Sequence, residues 1–374
     1  MEAGPGLAIP RRSLLKGAVG LGAAAALAGC GSTTPARTNP RAIVFKDQRG
    51  ITLTFDGPVR RIVTLPMPAA AILIAVDQSP RHLVGMIDAS WTAMRDGTLG
   101  AMFPSALKIA HDVAGEDFSP NIESILALKP DVVVQWTNQG DAILAPLKNA
   151  GLPVLGVDYG TLADVDTWLR MFATLLGKPE RGTAMNSRID ADHAQMTSEA
   201  ATRTGRRPKV VYFLRFADGL QVAGADTFNN DYIKLVGAEN AAEEITGGFG
   251  TVDVEQVLRW DPDIMLLGNF DDALPKDVYE NAVWKDVSAV RSRRVYRVPL
   301  GGYRWDPPSH ETPLMWRWLA DLAFPTRSVS SLRSAIDDDY AFLYGTRPTS
   351  TDIDKMLWTT ANQASANYGQ FRAS

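Results

Sequence analysis

The 374-residue sequence has very few of the side chains that bind metals through nitrogen or sulfur: a single cysteine, Cys30, and four histidines. One cysteine cannot form an intramolecular disulfide or hold an iron–sulfur cluster. The histidines form no His-x-His or His-Glu-x-x-His group, so no zinc site of common spacing is predicted. They are His82, His111, His193 and His310. We therefore expect any metal handled by this protein to arrive already chelated.

The motifs of common enzyme classes are also missing. The sequence has no Gly-x-Ser-x-Gly nucleophile elbow and no Walker phosphate-binding loop. The acidic run at 337–339 lies on one short segment, which is typical of a solvated helix end rather than of two carboxylates flanking a substrate. These absences argue against an enzyme, and an exported enzyme is kept as the alternative of another class.

Positive charge is not in excess. The formal net charge is −4, which argues against a nucleic-acid partner because such proteins neutralise phosphates with lysine and arginine. Hydrophobic residues make up 45% and charged residues 21% of the chain, as in ordinary soluble globular proteins. A chain of 374 residues exceeds what one core usually organises, so two lobes are expected.

An apolar run near the N-terminus, at 18–28, is too short to cross a membrane. It has about half of the roughly 20 residues that a spanning helix needs, and it follows Arg11 and Arg12. This pattern is typical of a secretory signal, and Arg-Arg-Ser-Leu-Leu-Lys resembles a twin-arginine signal. We expect residues 1–30 to be a signal peptide.

The end of that run, Leu27-Ala28-Gly29-Cys30, is similar to a bacterial lipobox. In a lipobox the cysteine is lipidated and holds the protein at a membrane surface. The Ser/Thr/Pro-rich stretch that follows has no apolar period, so 31–41 is predicted to be a flexible tether. The predicted location is extracytoplasmic, with a lipid anchor at Cys30 in the bacterial cell membrane.

One segment occurs twice, as NIESILALKPDVVV at 121–134 and as DVEQVLRWDPDIML at 253–266. Each copy starts with a good N-cap residue, has a glutamate in the first helical turn, and passes through Pro-Asp into a buried strand. The glutamates, Glu123 and Glu255, are 132 residues apart, far beyond the period of a solenoid or propeller. Two equivalent lobes explain this offset. Alternatively, a helix followed by Pro-Asp and a strand is simply common in α/β proteins, and both glutamates only compensate helix dipoles.

Short apolar runs predict buried strands in both halves of the chain. They lie at 61–65, 82–86, 132–136, 153–158, 209–214, 263–268 and 294–299. A helix from Pro179 to about Thr202 is predicted between the halves, and 24 residues span roughly 36 Å. The predicted fold is α/β, with two Rossmann-like lobes joined by one long rigid helix and a ligand cleft between the lobes.

The predicted division follows from this order of elements. The N-terminal lobe is placed at 42–176 and the connecting helix at 177–204. The C-terminal lobe is placed at 205–374 and includes the terminal helices.

In order and spacing, these segments resemble the substrate-binding lipoproteins of ABC importers for ferric siderophores, haem and cobalamin, which are class III periplasmic binding proteins. The resemblance covers about 60–345. Besides both glutamate segments, it rests on the stretches at 60–76, 227–242, 284–299 and 318–325. It implies a binding protein, not an enzyme, without a cofactor of its own. Such a protein is expected to be a monomer that captures a ferric siderophore or similar metal chelate. Haem, cobalamin and an oxyanion such as molybdate remain open as alternatives.

The same resemblance implies a role for the repeated glutamates. In this family each lobe presents one glutamate to arginines of one of two permease subunits, which work with an ATPase. The matching positions are Glu123 and Glu255. Exposed ion pairs contribute only about 0.2–1 kcal/mol each, so the pair would set orientation more than affinity.

Ligands of two-lobed proteins bind between the lobes, at strand ends. Trp136 and Phe249 match positions that carry ligand-facing tryptophans in the cobalamin-binding relative, and Phe118 stands beside a third position that departs from that pattern. The loops after predicted strands supply further candidates. These are Trp91, Arg215, Phe216, Phe228, Tyr303, Arg304 and Trp305. Guanidinium groups suit the oxygens of anions and chelates, and aromatic faces suit an apolar rim.

Each of these candidates has an ordinary structural alternative. The aromatic residues could be core residues, and Tyr303 could be a buried hydroxyl bonded to backbone. Asp306, His310 and Glu311 could line a metal site, although their segment is first of all typical of a proline-rich loop that opens a helix.

Overall fold

The computed structural model describes residues 42–325 and 331–373. The predicted signal peptide, the tether and Cys30 lie outside these residues. Within the two described ranges, no helix combines the length and the apolar character needed to span a bilayer.

The first lobe is built on a parallel sheet with the strand order β4-β3-β5-β6, next to a separate β1-β2 hairpin. The strands are β1 Ile43–Lys46, β2 Thr52–Phe55, β3 Ile62–Thr64, β4 Leu83–Met86, β5 Val132–Trp136 and β6 Val154–Val157. All residues of β3, β5 and β6 are buried, as expected for strands covered on both faces.

Helices cover this sheet. They are α1 Ala69–Asp77, α2 Asp88–Asp96, α3 Leu99–Met102, α4 Ile122–Ala127, α5 Ala145–Asn149 and α6 Leu162–Leu175, with short 3₁₀ turns at Ala106–Lys108 and Asp141–Ile143. The start of α6 shows how the sequence sets a boundary. Thr161 and Asp164 form a reciprocal capping box, in which each side chain accepts a hydrogen bond from the other's backbone N–H.

The long helix α7, Pro179–Ala201, follows the first lobe and confirms the helix predicted from Pro179 to about Thr202. Proline occupies its first turn, where the missing N–H costs no hydrogen bond. The helix packs on α6 and leads into the second sheet.

The second sheet has the order β10-β8-β7-β11-β12, and β9 pairs with β7 outside this path. The strands are β7 Lys209–Arg215, β8 Leu220–Ala223, β9 Glu239–Asn240, β10 Phe249–Val252, β11 Ile264–Leu267 and β12 Val295–Arg297. The strands β7, β11 and β12 are parallel, whereas β8 and β10 are antiparallel. The seven predicted strands are confirmed, and β1, β2, β8, β9 and β10 were not predicted.

The remaining helices are α8 Phe228–Leu235, α9 Val254–Trp260, α10 Pro275–Tyr279, α11 Ser288–Arg291, α12 Thr312–Ala323, α13 Leu332–Tyr344 and α14 Ser350–Met356, with 3₁₀ turns at Ala282–Trp284 and Tyr368–Phe371. The C-terminal helices do not serve the second lobe alone. Helix α13 packs on α1 of the first lobe, and α12 packs on α7. The end of the chain therefore braces the two lobes.

Both copies of the repeated segment form a capped helix. The Asn121 side chain accepts a hydrogen bond from Ser124 N at 3.3 Å, and the Asp253 side chain accepts one from Gln256 N at 2.7 Å. These bonds satisfy N–H groups that the first helical turn leaves free. The sequence-based N-cap predictions are confirmed at both positions.

The Pro-Asp pair also has the same role in both copies. The Asp131 carboxylate accepts hydrogen bonds from the backbone N–H groups of Arg60 and Arg61, both at 2.9 Å, just before β3. The Asp263 carboxylate accepts one from Lys209 N, at the start of β7, at 2.7 Å. In each lobe the repeated aspartate therefore fixes the start of a neighbouring parallel strand.

Candidate functional site

Loops from the two lobes meet at the carboxyl ends of the parallel strands. Tyr159, two residues after β6, donates a hydrogen bond from its hydroxyl to the carbonyl of Pro308 at 2.5 Å. Thr98, between α2 and α3, donates its backbone N–H to the carbonyl of Gly301 at 3.0 Å. The loop after β12 is therefore held directly against the first lobe.

An aromatic cluster forms the first-lobe side of this meeting point. Trp136, the last residue of β5, packs on Tyr159 with ring centroids 5.7 Å apart and on the edge of Phe118 at 5.8 Å. Phe118 has a φ of 63°, a left-handed conformation that is uncommon for a bulky residue. Its carbonyl accepts a hydrogen bond from Gln135 Nε2 at 3.1 Å, which holds the strained residue in place.

Arg304 lies on the second-lobe side. Its guanidinium lies over the ring of Phe270 at 5.0 Å and over that of Tyr303 at 5.8 Å. Its Nε donates to the carbonyl of Asn269 at 3.1 Å. Asn269 is in turn held by the buried carboxylate of Asp306, which accepts a hydrogen bond from the Asn269 backbone N–H at 2.8 Å. The side chain of Arg304 is therefore oriented by a rigid support.

Buried donors on both sides lack a hydrogen-bond partner among the described residues: Nη1 of Arg304 and the indole N–H of Trp136. The Thr64 hydroxyl, at the carboxyl end of β3 next to β5, is a third buried polar atom of this kind. Such donors also occur elsewhere, as at Trp316, which lies between packed helices. The first three stand out because they lie at strand ends or in a loop where the lobes meet.

The two tyrosines beside Arg304 keep their protons at neutral pH. Burial raises the pKa of Tyr159 well above its ordinary value, with Tyr303 and Asp306 adding to the rise and Arg304 opposing it. Burial likewise raises the pKa of Tyr303 to about 12. This part of the molecule is thus rich in hydrogen-bond donors and carries the cationic Arg304.

The structure brings together Phe118, Trp136, Tyr303 and Arg304 from the predicted ligand contacts. Arg215 is exposed at the end of β7, and its guanidinium donates to the carbonyl of Phe270 at 3.0 Å, so it lies close to the same loop.

Other predicted contacts lie outside this inner cluster. Trp91 is half-buried and stacks on His111 at 4.5 Å. Phe216 packs on Phe213 and Trp284 in the second-lobe core, and Phe228 is buried against Tyr232. Phe249 is exposed on β10.

Trp305 is a correction to the predicted contacts. It is fully buried, and its indole N–H donates to Glu311 at 2.8 Å, so its ring is core rather than a face that a ligand could reach. The ordinary alternative also holds in part for Tyr303, which is only 2% exposed.

Sequence reasoning missed Tyr159 and Phe270. Both follow a predicted strand, at 153–158 and 263–268, by one or two residues. Their position directly after a strand, where ligand contacts of α/β proteins are expected, is the signal that marks both residues.

Residues Asp306, His310 and Glu311 do not form a metal site. His310 bonds to the Tyr344 hydroxyl at 2.6 Å, and Asp306 accepts a hydrogen bond from the Tyr212 hydroxyl at 2.7 Å. In the part of the chain that the structure describes, no group of three or more His, Cys, Asp or Glu side chains is placed to hold a metal ion.

The repeated glutamates are on the surface. Glu123 and Glu255 lie in the first turns of α4 and α9, and both are exposed. Neither forms an ion pair with another described residue. Leu126, on the same helix as Glu123, is 46% exposed.

Comparisons with known proteins agree with this architecture. A family model described as periplasmic binding protein matches residues 69–300. The crystal structure of a periplasmic solute-binding protein from Veillonella parvula is 31% identical, with a TM-score of 0.79, and the match covers 86% of this chain and 98% of that one. The molybdate-binding protein MolA of Haemophilus influenzae is 22% identical over 81% of this chain and 91% of its own length.

A third relative matches over a shorter stretch. The vitamin B12-binding protein of Pectobacterium atrosepticum is 31% identical over 41% of this chain and 56% of its own length. The structure of MolA bound to molybdate has a TM-score of 0.71 at 21% identity, covering 82% of this chain and 99% of that one, and shares the fold.

Proposed function

Because the chain belongs to the periplasmic binding protein family, whose members bind solutes rather than catalyse reactions, we propose that it captures a compact oxyanion for an ABC importer. Substrate-binding proteins of such importers lie outside the cytoplasm, and they act together with a permease and its ATPase. The observation that carries the proposal is the pair of buried donors, Arg304 Nη1 and Trp136 Nε1, that have no partner among the described residues.

The chemistry of these donors favours an anion. A buried donor left without a partner costs about 1–3 kcal/mol, so a bound group that accepts from it is favoured. Neither guanidinium nor indole N–H can act as an acceptor. A group that satisfies both must therefore offer hydrogen-bond acceptors, and the positive charge of Arg304 favours negative charge on it. Tetrahedral oxyanions such as molybdate meet both requirements.

The size of the ligand follows from the contact between the lobes. The hydrogen bond from Tyr159 to Pro308 joins the two lobes, so we infer a compact ligand, which could bind without breaking this bond.

A ferric siderophore or similar metal chelate is the second candidate. The aromatic faces that surround the donors favour it, because they could cover the apolar rim of a chelate whose oxygens bind Arg304. Haem and cobalamin belong to the same class of bulky ligands. All of them would require the contact between Tyr159 and Pro308 to break.

Within this proposal the predicted residues take graded roles. Trp136, Arg304, Tyr303 and Phe118, together with Tyr159 and Phe270, form the inner contacts. Arg215, Trp91 and Phe249 are proposed contacts at the rim. Phe216, Phe228 and Trp305 serve as core.

The surface and N-terminal predictions complete the proposal. Glu123 and Glu255 dock onto arginines of the permease dimer, and Cys30 carries a lipid that anchors a monomeric protein outside the cell membrane after export by a twin-arginine-like signal. We propose lobes at 42–176 and 205–374, and the terminal helices pack on the first lobe and on the connecting helix as well as on the second lobe.

Isothermal titration of the whole chain with molybdate, sulfate, ferric hydroxamate, ferric catecholate, haem and cobalamin tests the proposal. We expect saturable molybdate binding that Arg304→Gln weakens by about tenfold or more, as expected for a charged hydrogen bond. Trp136→Phe replaces the indole with a smaller ring that has no N–H, so it should weaken binding by about three- to tenfold. Because Trp136 is buried, its replacement also costs packing, and the melting temperature of the variant measures that separate loss.

The matched control is Arg206→Gln. Arg206 is an exposed arginine paired with Asp263 near the opposite end of β7, so its replacement should leave affinity unchanged. Absence of saturable oxyanion binding, or oxyanion binding that Arg304→Gln leaves intact, would overturn the oxyanion proposal. Saturable binding of one ferric chelate alone would replace it with the second candidate.

A further inference from the structure

The loop that presents Arg304 is supported by a buried acid, Glu311, which is 1% exposed. The Glu311 carboxylate accepts hydrogen bonds from the backbone N–H of Gly302 at 3.0 Å, from the indole N–H of Trp305 at 2.8 Å and from the hydroxyl of Tyr340 at 3.1 Å. It also accepts a short one from the Tyr344 hydroxyl. Donors on both sides of Arg304 in the chain thus converge on one carboxylate.

The same cluster reaches the first lobe. The Tyr340 hydroxyl, on α13, accepts a hydrogen bond from Gly302 N at 2.7 Å and lies 3.2 Å from the hydroxyl of Thr98. Thr98 also bonds to the Gly301 carbonyl. The carboxylate of Glu311 therefore belongs to a continuous network that runs from the loop through α13 to the first lobe.

The sequence of the loop is matched to this carboxylate. A Cβ atom added at Gly301 would overlap Glu311 Oε2, and one added at Gly302 would overlap the Tyr344 hydroxyl and Glu311 Oε1. Only glycine lets the backbone approach so closely, so the two glycines and the acid form one unit.

We propose that Glu311 is a positioning residue for the cleft: its carboxylate fixes the Gly301–Trp305 loop against the first lobe and thereby sets the position of Arg304. Its effect on ligand affinity rests on the function proposed above. Its effect on the loop does not, because the contacts exist without a ligand.

The titratable groups around Glu311 keep a single charge state near neutral pH, whereas Glu311 does not. Burial raises the pKa of Glu311 to about 7, although the donors from Tyr344, Trp305, Tyr340 and Gly302 oppose the rise. Burial lowers the pKa of the adjacent His310 to about 3, with Arg181 on α7 adding to the effect. Burial also raises the pKa of Tyr340 and of Tyr344 on α13 well above the ordinary value. Among these groups, Glu311 changes charge near neutral pH.

Protonation should loosen the loop. A neutral carboxyl group accepts more weakly than a carboxylate and adds a donor to a site already occupied by donors. Oxyanion affinity should therefore rise with pH through about 7 in the wild-type chain, as the carboxylate forms.

Two measurements on the whole chain test the proposal. The first follows the ¹⁵N-indole signals of the free protein from pH 5.5 to 8.5, with the Trp305 signal assigned from Trp305→Phe. We expect this signal to titrate with a midpoint near 7 and to stop titrating in Glu311→Gln. The second measures molybdate affinity over the same pH range. We expect Glu311→Gln to weaken it by about tenfold at pH 8 and to abolish its rise with pH.

Asp339→Asn is the matched control. Like Glu311, Asp339 is a buried acid, and burial raises its pKa to about 6. It lies on α13, pairs with Arg188 and does not contact the loop. It should leave both readouts unchanged. If Glu311→Gln does not fold, Tyr340→Phe removes one hydroxyl of the network and should shift the Trp305 signal and weaken affinity less strongly.

The outcomes separate this proposal from the proposed function. A Trp305 signal that does not titrate, or molybdate affinity in Glu311→Gln equal to that of the wild type, would overturn the role of Glu311. If no oxyanion binds the wild type, the proposed function fails, and the Trp305 signal alone decides whether Glu311 fixes the loop.

Discussion

The two copies of the repeated segment begin alike and end differently. In both, a capped helix passes through Pro-Asp, and the aspartate fixes the start of a neighbouring parallel strand. At the far end, β5 closes with Trp136, whose donor is unpartnered among the described residues, whereas β11 leads into Gly268 and Asn269, which supports Arg304. The amino ends of the strands thus carry the shared scaffold, and the carboxyl ends carry the differences that a ligand would meet.

The two sides of the cleft, here called its walls, are held in place in different ways: one carries Trp136 and the other Arg304. Trp136 is fixed by packing, against Phe118, Tyr159 and Trp168, with ring centroids 5.7–5.9 Å apart. Arg304 is fixed by hydrogen bonds and by a loop tied to the buried Glu311. Apolar packing involves no group that changes charge with pH, whereas the charge of a buried acid depends on pH. The two walls should therefore respond differently to pH.

The largest expected effect is a dependence of stability on pH that comes from Glu311 and so from the side of the cleft that holds Arg304. Burial raises the pKa of Glu311 from an ordinary 4.5 to about 7, so between these values the folded state binds more protons than the unfolded state. Stability should fall as pH rises through this window. The difference corresponds to about 3 kcal/mol between pH 4 and pH 8. Urea unfolding of the wild type and of Glu311→Gln across this range measures it, as a difference between the two curves.

That difference isolates Glu311 from the other buried groups. The lowered pKa of His310, about 3, makes stability rise with pH between that value and its ordinary 6.5, but it does so in both proteins. Trp136→Phe serves as the control from the opposite wall and should run parallel to the wild type at every pH. Parallel curves for Glu311→Gln and the wild type would contradict the prediction.

The next effect tests whether the shared scaffold is equivalent in the two lobes. Asp131→Ala leaves the N–H groups of Arg60 and Arg61 without their acceptor, and Asp263→Ala does the same to Lys209. Hydrogen bonds to a charged group contribute about 1.5–3 kcal/mol, so each change should cost about 2 kcal/mol of unfolding free energy. Chemical denaturation followed by circular dichroism gives both values.

Asparagine at the same positions provides the control, because it keeps an acceptor oxygen and should recover part of the loss. A cost at Asp131 that exceeds the cost at Asp263 by several kcal/mol, or the reverse, would show that the two copies are alike in sequence but not in their role.

Much of the scaffold could be predicted from the sequence because its signals are local. The buried parallel strands are continuous apolar runs, and Asn121, Asp253 and Pro179 mark helix starts by their own chemistry. The strand β8 was missed although Asp218-Gly219 before it is a typical hairpin turn, and β7 and β8 do pair antiparallel. The hairpin β1-β2 was also missed, although residues 51–55 alternate apolar and polar side chains and both strands alternate in burial.

The site was harder to predict because burial depends on distant parts of the chain. Trp305 follows a strand, as a ligand contact should, but it is fully buried and its indole N–H donates to Glu311. Glu311 itself is only one of several polar residues in a proline-rich stretch, and the tyrosines that donate to it come about 30 residues later. No local pattern shows that these hydroxyls and Gly302 converge on one carboxylate.

The smallest expected effect concerns the feature that is most alike in the two copies, the exposed glutamates. Glu123→Ala and Glu255→Ala should each weaken docking to the permease by about 0.2–1 kcal/mol, or up to about fivefold, and the double variant by roughly the sum. Neither change touches the cleft, so ligand affinity should stay constant. Surface plasmon resonance against the permease in nanodiscs, with Glu280→Ala as an unrelated surface control, measures both singles and the double. Equal losses would support symmetric docking through the two lobes. A loss at one glutamate only would mean that the other merely compensates its helix dipole, and lost ligand affinity would place that glutamate in the cleft instead.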